Sequence, residues 1–309
     1  MTQIGLMIEG QWGLTWERWD RLLQAAESLG YQCLFRSDHY TIGPPDEASL
    51  ETWVSLTYAA SHTRRIEFGP LVAPTTFRHP ALTVRMAAAV DDLSGGRLVL
   101  GLGTGWHERE HKQFGIPFHD FPTRYAMLEE ALEITTRLLR SESPVSTSGQ
   151  HFPLDQAILL PRPKRPGGPP VLIGGNGLKK TLPLVARFAD EWNAVYLTPQ
   201  GVRERNTLLD DLLTKAGRQP SAVKRSLMTQ MIFGTTDAEV RARLAQSPEP
   251  SDKLLEWNRV VGTPQQVVDQ IGAYVEAGVQ RFMFMWRDPT DLDGIEKLAQ
   301  TVLPQFHQA

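Results

Sequence analysis

Short apolar runs alternate with longer segments of helical spacing along almost the whole chain. Residues 4–9, 32–36, 66–72, 97–100, 171–173, 191–197, 227–233 and 281–286 read as eight strands, the run at 97–100 of the kind that fits a strand buried on both faces. Between them the spacing predicts helices over 15–29, 50–62, 81–93, 125–139, 179–189, 202–216, 238–244, 264–277 and 292–306. Thr15 offers a cap for the first helix and Gly30 a stop. Strands alternating with helices imply a parallel sheet covered by helices. Eight such units predict an α/β chain forming a closed (β/α)8 TIM barrel, with an open doubly wound sheet as the alternative. The barrel is expected to take up residues 1–309 as one domain. Residues 141–170, rich in Pro, Ser and Gly, contain a weak strand-like piece near 151–154. This segment is too long for an ordinary connection and is expected to be an insertion loop over the C-terminal face.

The unusual residues support the barrel over the open sheet. Asp38-His39, the segment 74–79, the segment 103–106 and the segment 174–177 each follow a different predicted strand. In a barrel those carboxyl ends converge on one face, where active sites are built.

The stretch 94–118 is the densest in chemistry. Gly101, Gly103 and Gly105 surround Leu102 and Thr104 at the end of strand four, where missing side chains let a flat group approach the backbone. A tight strand-to-helix turn accounts for the same glycines. The pattern lacks the third glycine and the early helix of a dinucleotide fingerprint. Asp38 beside His39 is a candidate catalytic pair, the carboxylate orienting an imidazole that exchanges protons near neutrality. Gly174, Gly175, Asn176 and Gly177 precede a helix bearing Lys179, Lys180 and Thr181, which suits a phosphomonoester or phosphodiester, or is simply a glycine-rich helix start. It is not a P-loop. Pro70 inside an apolar run predicts a bulge or kink in strand three. Arg78 either pairs structurally or meets a charged ligand tail. His107 and His111 are four apart, but no third ligand stands out, so no metal site is expected.

Composition narrows the classes. A 41% hydrophobic and 22% charged chain with a formal charge of −3 is expected to bind neither nucleic acid nor an anionic membrane. Cys33 is the only cysteine and lies in an apolar run, which predicts a core thiol and excludes a disulfide framework. The start of the chain lacks a basic region followed by a long apolar one, and no apolar run has membrane-spanning length, so a cytoplasmic location is expected.

Several motifs in order carry a family resemblance. They are Ser37-Asp38-His39, Arg65-Ile66-Glu67-Phe68-Gly69, Arg78-His79-Pro80, and DDLSGGRLVLGLGTGW over 91–106 with Glu108, Glu110 and Phe114-Gly115. Later come the segment 173–177, Ala189-Asp190-Glu191-Trp192-Asn193 and Gly262-Thr263-Pro264. Over almost its full length the chain resembles the luciferase-like monooxygenase superfamily, in the branch that uses the deazaflavin coenzyme F420. The resemblance implies a bacterial luciferase-like barrel, and it implies hydride transfer between F420 and a small organic substrate, with His39 handling a proton. It implies a homodimer. The phosphate is expected at Gly174, Gly175, Asn176, Gly177, Lys180 and Thr181, and the ring against Pro70, Leu71, Val72, Gly103, Thr104 and Gly105, walled by Trp106. A cis peptide is expected at Pro70–Leu71. Glu9, Gln11 and Trp12 are expected to shape the substrate pocket. Some members carry a glutamate proton donor where this chain has Trp106. The alternatives are an FMN-dependent monooxygenase using O₂, a non-catalytic flavin carrier, and a barrel enzyme for phosphorylated metabolites without a redox cofactor.

Overall fold

The computed structural model describes residues 2–246 and 258–306. The chain runs β1 (Gln3–Ile8), α1 (Trp16–Ser28), β2 (Cys33–Arg36), α2 (Thr52–His62), β3 (Glu67–Pro70), β4 (Ala73–Pro74), α3 (Pro80–Ser94) and β5 (Leu100–Gly103). It continues through α4 (Glu108–Gln113), α5 (Phe121–Arg140), β6 (Val145–Thr147), β7 (Leu154–Ala157), β8 (Val171–Gly174), α6 (Thr181–Phe188) and β9 (Glu191–Val195). The last part is α7 (Pro199–Lys215), β10 (Lys224–Phe233), α8 (Asp237–Ala245), β11 (Val260–Gly262), α9 (Pro264–Glu276), β12 (Arg281–Met285) and α10 (Leu292–Thr301).

All eight predicted apolar runs contribute parallel strands. Their hydrogen-bonded order is β3-β2-β1-β12-β10-β9-β8-β5-β4. β3 and β4 are two halves of one barrel strand, and a parallel bridge between Phe68 and Leu98 joins the ends of this path. The result is the (β/α)8 TIM barrel. Strand side chains alternate: Ile4, Leu6 and Ile8 pack outward under the helices, while Met7 joins Cys33, Phe35, Leu71, Val99, Leu172, Met283 and Met285 in the lumen. Cys33 is buried there and burial pushes its thiol up to about 12, in keeping with a core thiol.

Local signals set several boundaries. The Thr15 side chain accepts from the Arg18 N–H at the start of α1, and Gly30, at φ +88°, follows its end. Thr263 and Gln266 form a capping box on α9, with Pro264 in its first turn. Strand three breaks as Pro70 suggested, but the cis peptide lies at Leu71–Val72, one residue beyond the expected Pro70–Leu71. The broken strand presses on its neighbour: a Cβ at Gly101 would lie 2.2 Å from the Pro70 carbonyl oxygen, and one at Gly103 would lie 2.5 Å from a Val72 methyl. Those two glycines therefore admit the adjacent strand, a structural role that the flat-group reading did not contain.

The lumen is closed at its amino end by charge. Arg281 is fully buried and donates to Glu191 Oε2 at 3.0 Å, to Gln3 Oε1 at 2.8 Å, and to Glu67. Each of these residues is the first of its strand, so parallel register brings them together. Replacing Arg281 with methionine keeps most of the volume but strands two carboxylates, and it is expected to destabilise the fold by about 3–5 kcal/mol. Urea denaturation checks this; a loss below about 1 kcal/mol would show the pair to be dispensable.

The insertion at 141–170 departs from expectation. It is an antiparallel β6–β7 hairpin laid along the outer flank of α3 and α5. Glu130 of α5 accepts from the backbone N–H groups of Gln150, His151 and Phe152, Arg162 donates to the Leu138 and Leu139 carbonyls, and the Lys164 N–H reaches Asp92. Phe152, in the turn of the hairpin, meets His79 at the start of α3 edge-on. The insertion joins a helix end to a strand start, so both of its ends lie at the amino face, and it flanks the barrel where a cover over the mouth was expected. The mouth is bordered instead by the β2–α2 loop, where Asp46 pairs with Arg109 at 2.6 and 2.8 Å.

Candidate active site

His39 stands just past the end of β2 with its side chain 13% exposed. Its Nδ1 lies 2.7 Å from Glu110 Oε1, and the second oxygen of Glu110 accepts the Tyr40 N–H at 2.9 Å. Glu110 is 1% exposed, on the short helix α4. Among the described residues Nε2 has no hydrogen-bond partner, so one ring nitrogen is anchored and the other is left for chemistry. Burial pulls His39 toward the neutral form. The Glu110 hydrogen bond and the charges of Glu110, Glu9 and Asp38 outweigh it, and the pKa lies above the ordinary imidazole value. Trp106 meets the His39 ring edge-on at 5.6 Å and is 63% exposed, an open aromatic face beside the imidazole.

Asp38 does not orient His39. Consecutive residues leaving a strand point to opposite sides, and Asp38 receives both guanidinium nitrogens of Arg78, at 2.5 and 3.2 Å. Arg78 also reaches Glu51, at 2.6 Å, so the pairing choice left open for Arg78 resolves to a structural tie between strand two and α2. The sequence reading missed Glu110 as the partner of His39. The signal available was its place three residues after His107 on a helix, beyond the glycine turn.

On the first strand's loop, the Gln11 amide donates to Glu9 Oε2 at 2.6 Å while its oxygen accepts from the Ser37 hydroxyl at 2.6 Å. Gln11 is 3% exposed, so it braces Glu9 and is not itself a pocket surface. Trp12 lines an open cleft of about 1240 Å³ shared with residues 42–45, the end of β10 and residues 286–291. The Arg287 guanidinium sits 5.0 Å from the Trp12 ring centre.

The turn after β8 divides its residues between two tasks. Asn176 clasps the end of β9, donating to the Val195 carbonyl at 2.7 Å and accepting its N–H at 3.0 Å. Gly175 adopts φ +121°, and a Cβ at Gly177 would lie 2.8 Å from the Thr181 hydroxyl. The Thr181 hydroxyl bonds Tyr125 at 2.9 Å. No intramolecular acceptor meets the backbone N–H groups of Asn176, Gly177, Leu178, Lys179 or Lys180 among the described residues. Helix α6 begins at Thr181, two residues later than the spacing predicts, which leaves these donors on an exposed turn. Successive free N–H groups at a helix start fit a phosphate. Across the mouth, Pro70, Leu71 and Val72 lie beside Gly103, and Thr104, Gly105 and Trp106 continue the strand toward α4.

His107 and His111, four apart, do not act together. His111 bonds the Thr76 hydroxyl at 2.8 Å and the His107 carbonyl at 2.8 Å. His107 turns toward Glu110, with Nδ1 3.8 Å from Oε1, and burial holds its pKa below the ordinary value against the pull of the Glu110 charge.

The chain as a whole has relatives. The chain is 28% identical to the F420-dependent hydroxymycolic acid dehydrogenase of Mycobacterium tuberculosis, over 94% of this chain and 85% of that protein. It is 24% identical to the FMNH(2)-dependent dimethylsulfone monooxygenase of Pseudomonas fluorescens, over 87% and 81%. The coenzyme F420-dependent tetrahydromethanopterin reductase of Methanopyrus kandleri shares the fold at a TM-score of 0.81, with 20% identity and coverage of 98% and 99%. A family model for luciferase-like monooxygenases matches residues 3–251, and the chain belongs to that family.

Proposed function

We propose that this protein is a coenzyme F420-dependent oxidoreductase that moves a hydride between the deazaflavin and a small organic substrate. The observation that carries the reading is His39, anchored through Nδ1 to a buried carboxylate, with Nε2 unpartnered among the described residues and beside Trp106. The F420-dependent dehydrogenase among the relatives supports it. The residues present fit the cofactor: N–H groups over 176–180, unpartnered among the described residues, would take its phosphate, and Lys180 belongs to the same turn. Pro70, Leu71, Val72, Gly103, Thr104 and Gly105 would face its ring, and Trp106 would wall it. When bound, the deazaflavin supplies hydride transfer.

The chain's own residues then supply position and a proton. A hydride leaving an alcohol carbon requires a base for the hydroxyl proton, and a hydride reaching a carbonyl requires an acid at the oxygen. His39 Nε2 serves both directions. Glu110 holds the ring by Nδ1 and stabilises the imidazolium. Glu9, braced by Gln11, and Trp12 border the substrate side.

Fluorescence titration of the apoprotein with F420 and, in parallel, with FMN tests the cofactor. The chain has eight tryptophans, and Trp106 should be quenched on binding. Micromolar or tighter F420 binding with weaker FMN binding is the expected result. The opposite preference would move the protein to the oxygen-using side of the family, and binding of neither would overturn the cofactor assignment.

A further inference from the structure

We propose that His39, His107 and Glu110 together bind one divalent transition-metal ion. One ligand atom from each lies within 4.8 Å of the other two. Zinc bonds nitrogen and oxygen at about 2.0–2.2 Å, so two ligand atoms of a tetrahedral site stand about 3.3 Å apart. The distances from Glu110 Oε1 to His39 Nδ1, 2.7 Å, and to His107 Nδ1, 3.8 Å, bracket that value. The two imidazole ligand atoms lie within 4.8 Å of each other, so closing the set to tetrahedral spacing takes side-chain movements of at most about 1.5 Å.

A second observation points independently to a ligand. His107 Nδ1 is buried and has no hydrogen-bond partner among the described residues, and at 3.8 Å the Glu110 oxygen is too far to provide one. A buried orphan nitrogen requires a partner, and this one is aimed at a carboxylate already holding another imidazole. With its proton on Nε2, His107 would present the Nδ1 lone pair that a metal needs. The Tyr40 N–H holds the other Glu110 oxygen and so fixes the direction of Oε1. Glu9 and Asp38 add negative potential around His39.

Two imidazoles and one carboxylate suit zinc, cobalt, nickel, copper or iron, and do not suit magnesium or calcium, which take oxygen ligands. Three protein ligands leave one coordination position open. The ion would occupy the same His39–Glu110 pair that otherwise shares a proton, so metal and proton compete for one site. Ligand type and geometry alone support the site, whichever cofactor the protein uses.

Calorimetric titration of chelator-treated apoprotein with zinc chloride tests this. One ion per chain is expected, with affinity falling at least tenfold in His107→Ala and in Glu110→Gln and unchanged in His62→Ala, an exposed histidine outside the cluster. Cobalt(II) should give visible ligand-field bands that His107→Ala abolishes. No stoichiometric uptake, or uptake indifferent to His107→Ala, would overturn the site. Should His107→Ala fail to fold by circular dichroism, the cobalt spectrum of the unaltered protein decides: four-coordinate bands support the site and their absence overturns it.

Discussion

His39→Ala is expected to lower kcat by about 10²–10⁴-fold, the range supplied by a positioned acid or base. Cofactor affinity should stay close to that of the unaltered protein, because the phosphate turn at 174–181 and the Pro70–Gly103 side of the mouth are separate from the imidazole. Stopped-flow hydride transfer with F420 or its reduced form, alongside fluorescence binding, checks both halves. The Glu110 carboxylate, left without its imidazole, retains the Tyr40 N–H and a path to His107, so the fold should hold. Unchanged turnover would remove His39 from the mechanism and favour a carrier role for the barrel.

Glu110→Gln should lower kcat by about 10²-fold, the lower end of the acid–base contribution, and move the pH profile. The substitution keeps the shape and an acceptor for the Tyr40 N–H but removes the charge facing His39. In the unaltered protein burial lowers the His39 pKa, and the bond and charge of Glu110, with Glu9 and Asp38, raise it further than burial lowers it. In the reducing direction, where the substrate oxygen needs a proton, activity falls as pH rises through that raised value. Without the Glu110 charge only Glu9 and Asp38 still oppose burial, and the falling limb moves to lower pH. Rates are measured with a chelator present, so that the imidazole titrates free of metal. A limb that stays in place would show that Glu110 does not set the proton affinity of His39, and a purely structural role would lower stability without moving it.

Asp38 illustrates how adjacency in sequence misleads. Side chains of neighbouring residues diverge where a strand ends, so the carboxylate beside His39 meets Arg78 while one from 71 residues later meets the imidazole. The hairpin at 141–170 is a similar case. Its composition marks an insertion, but whether it covers the mouth or flanks the helices depends on where a β-hairpin finds partners, and Glu130 and the α5 carboxyl end provide them.

Periodicity, caps and breakers were legible in the chain itself because they act within a few residues. The eight apolar runs, the Thr15 cap, the Gly30 stop and the Pro70 interruption all stand where local chemistry puts them. Their alternation was enough to choose parallel strands closed into a barrel, and hence to bring the unusual loops to one face. The pairing of His39 with Glu110, the approach of His107, the tie of Asp38 to Arg78 and the fit of Gly101 and Gly103 against Pro70 and Val72 came only from the closed structure. Each depends on distances between residues far apart in the chain, which barrel closure sets and no local pattern encodes.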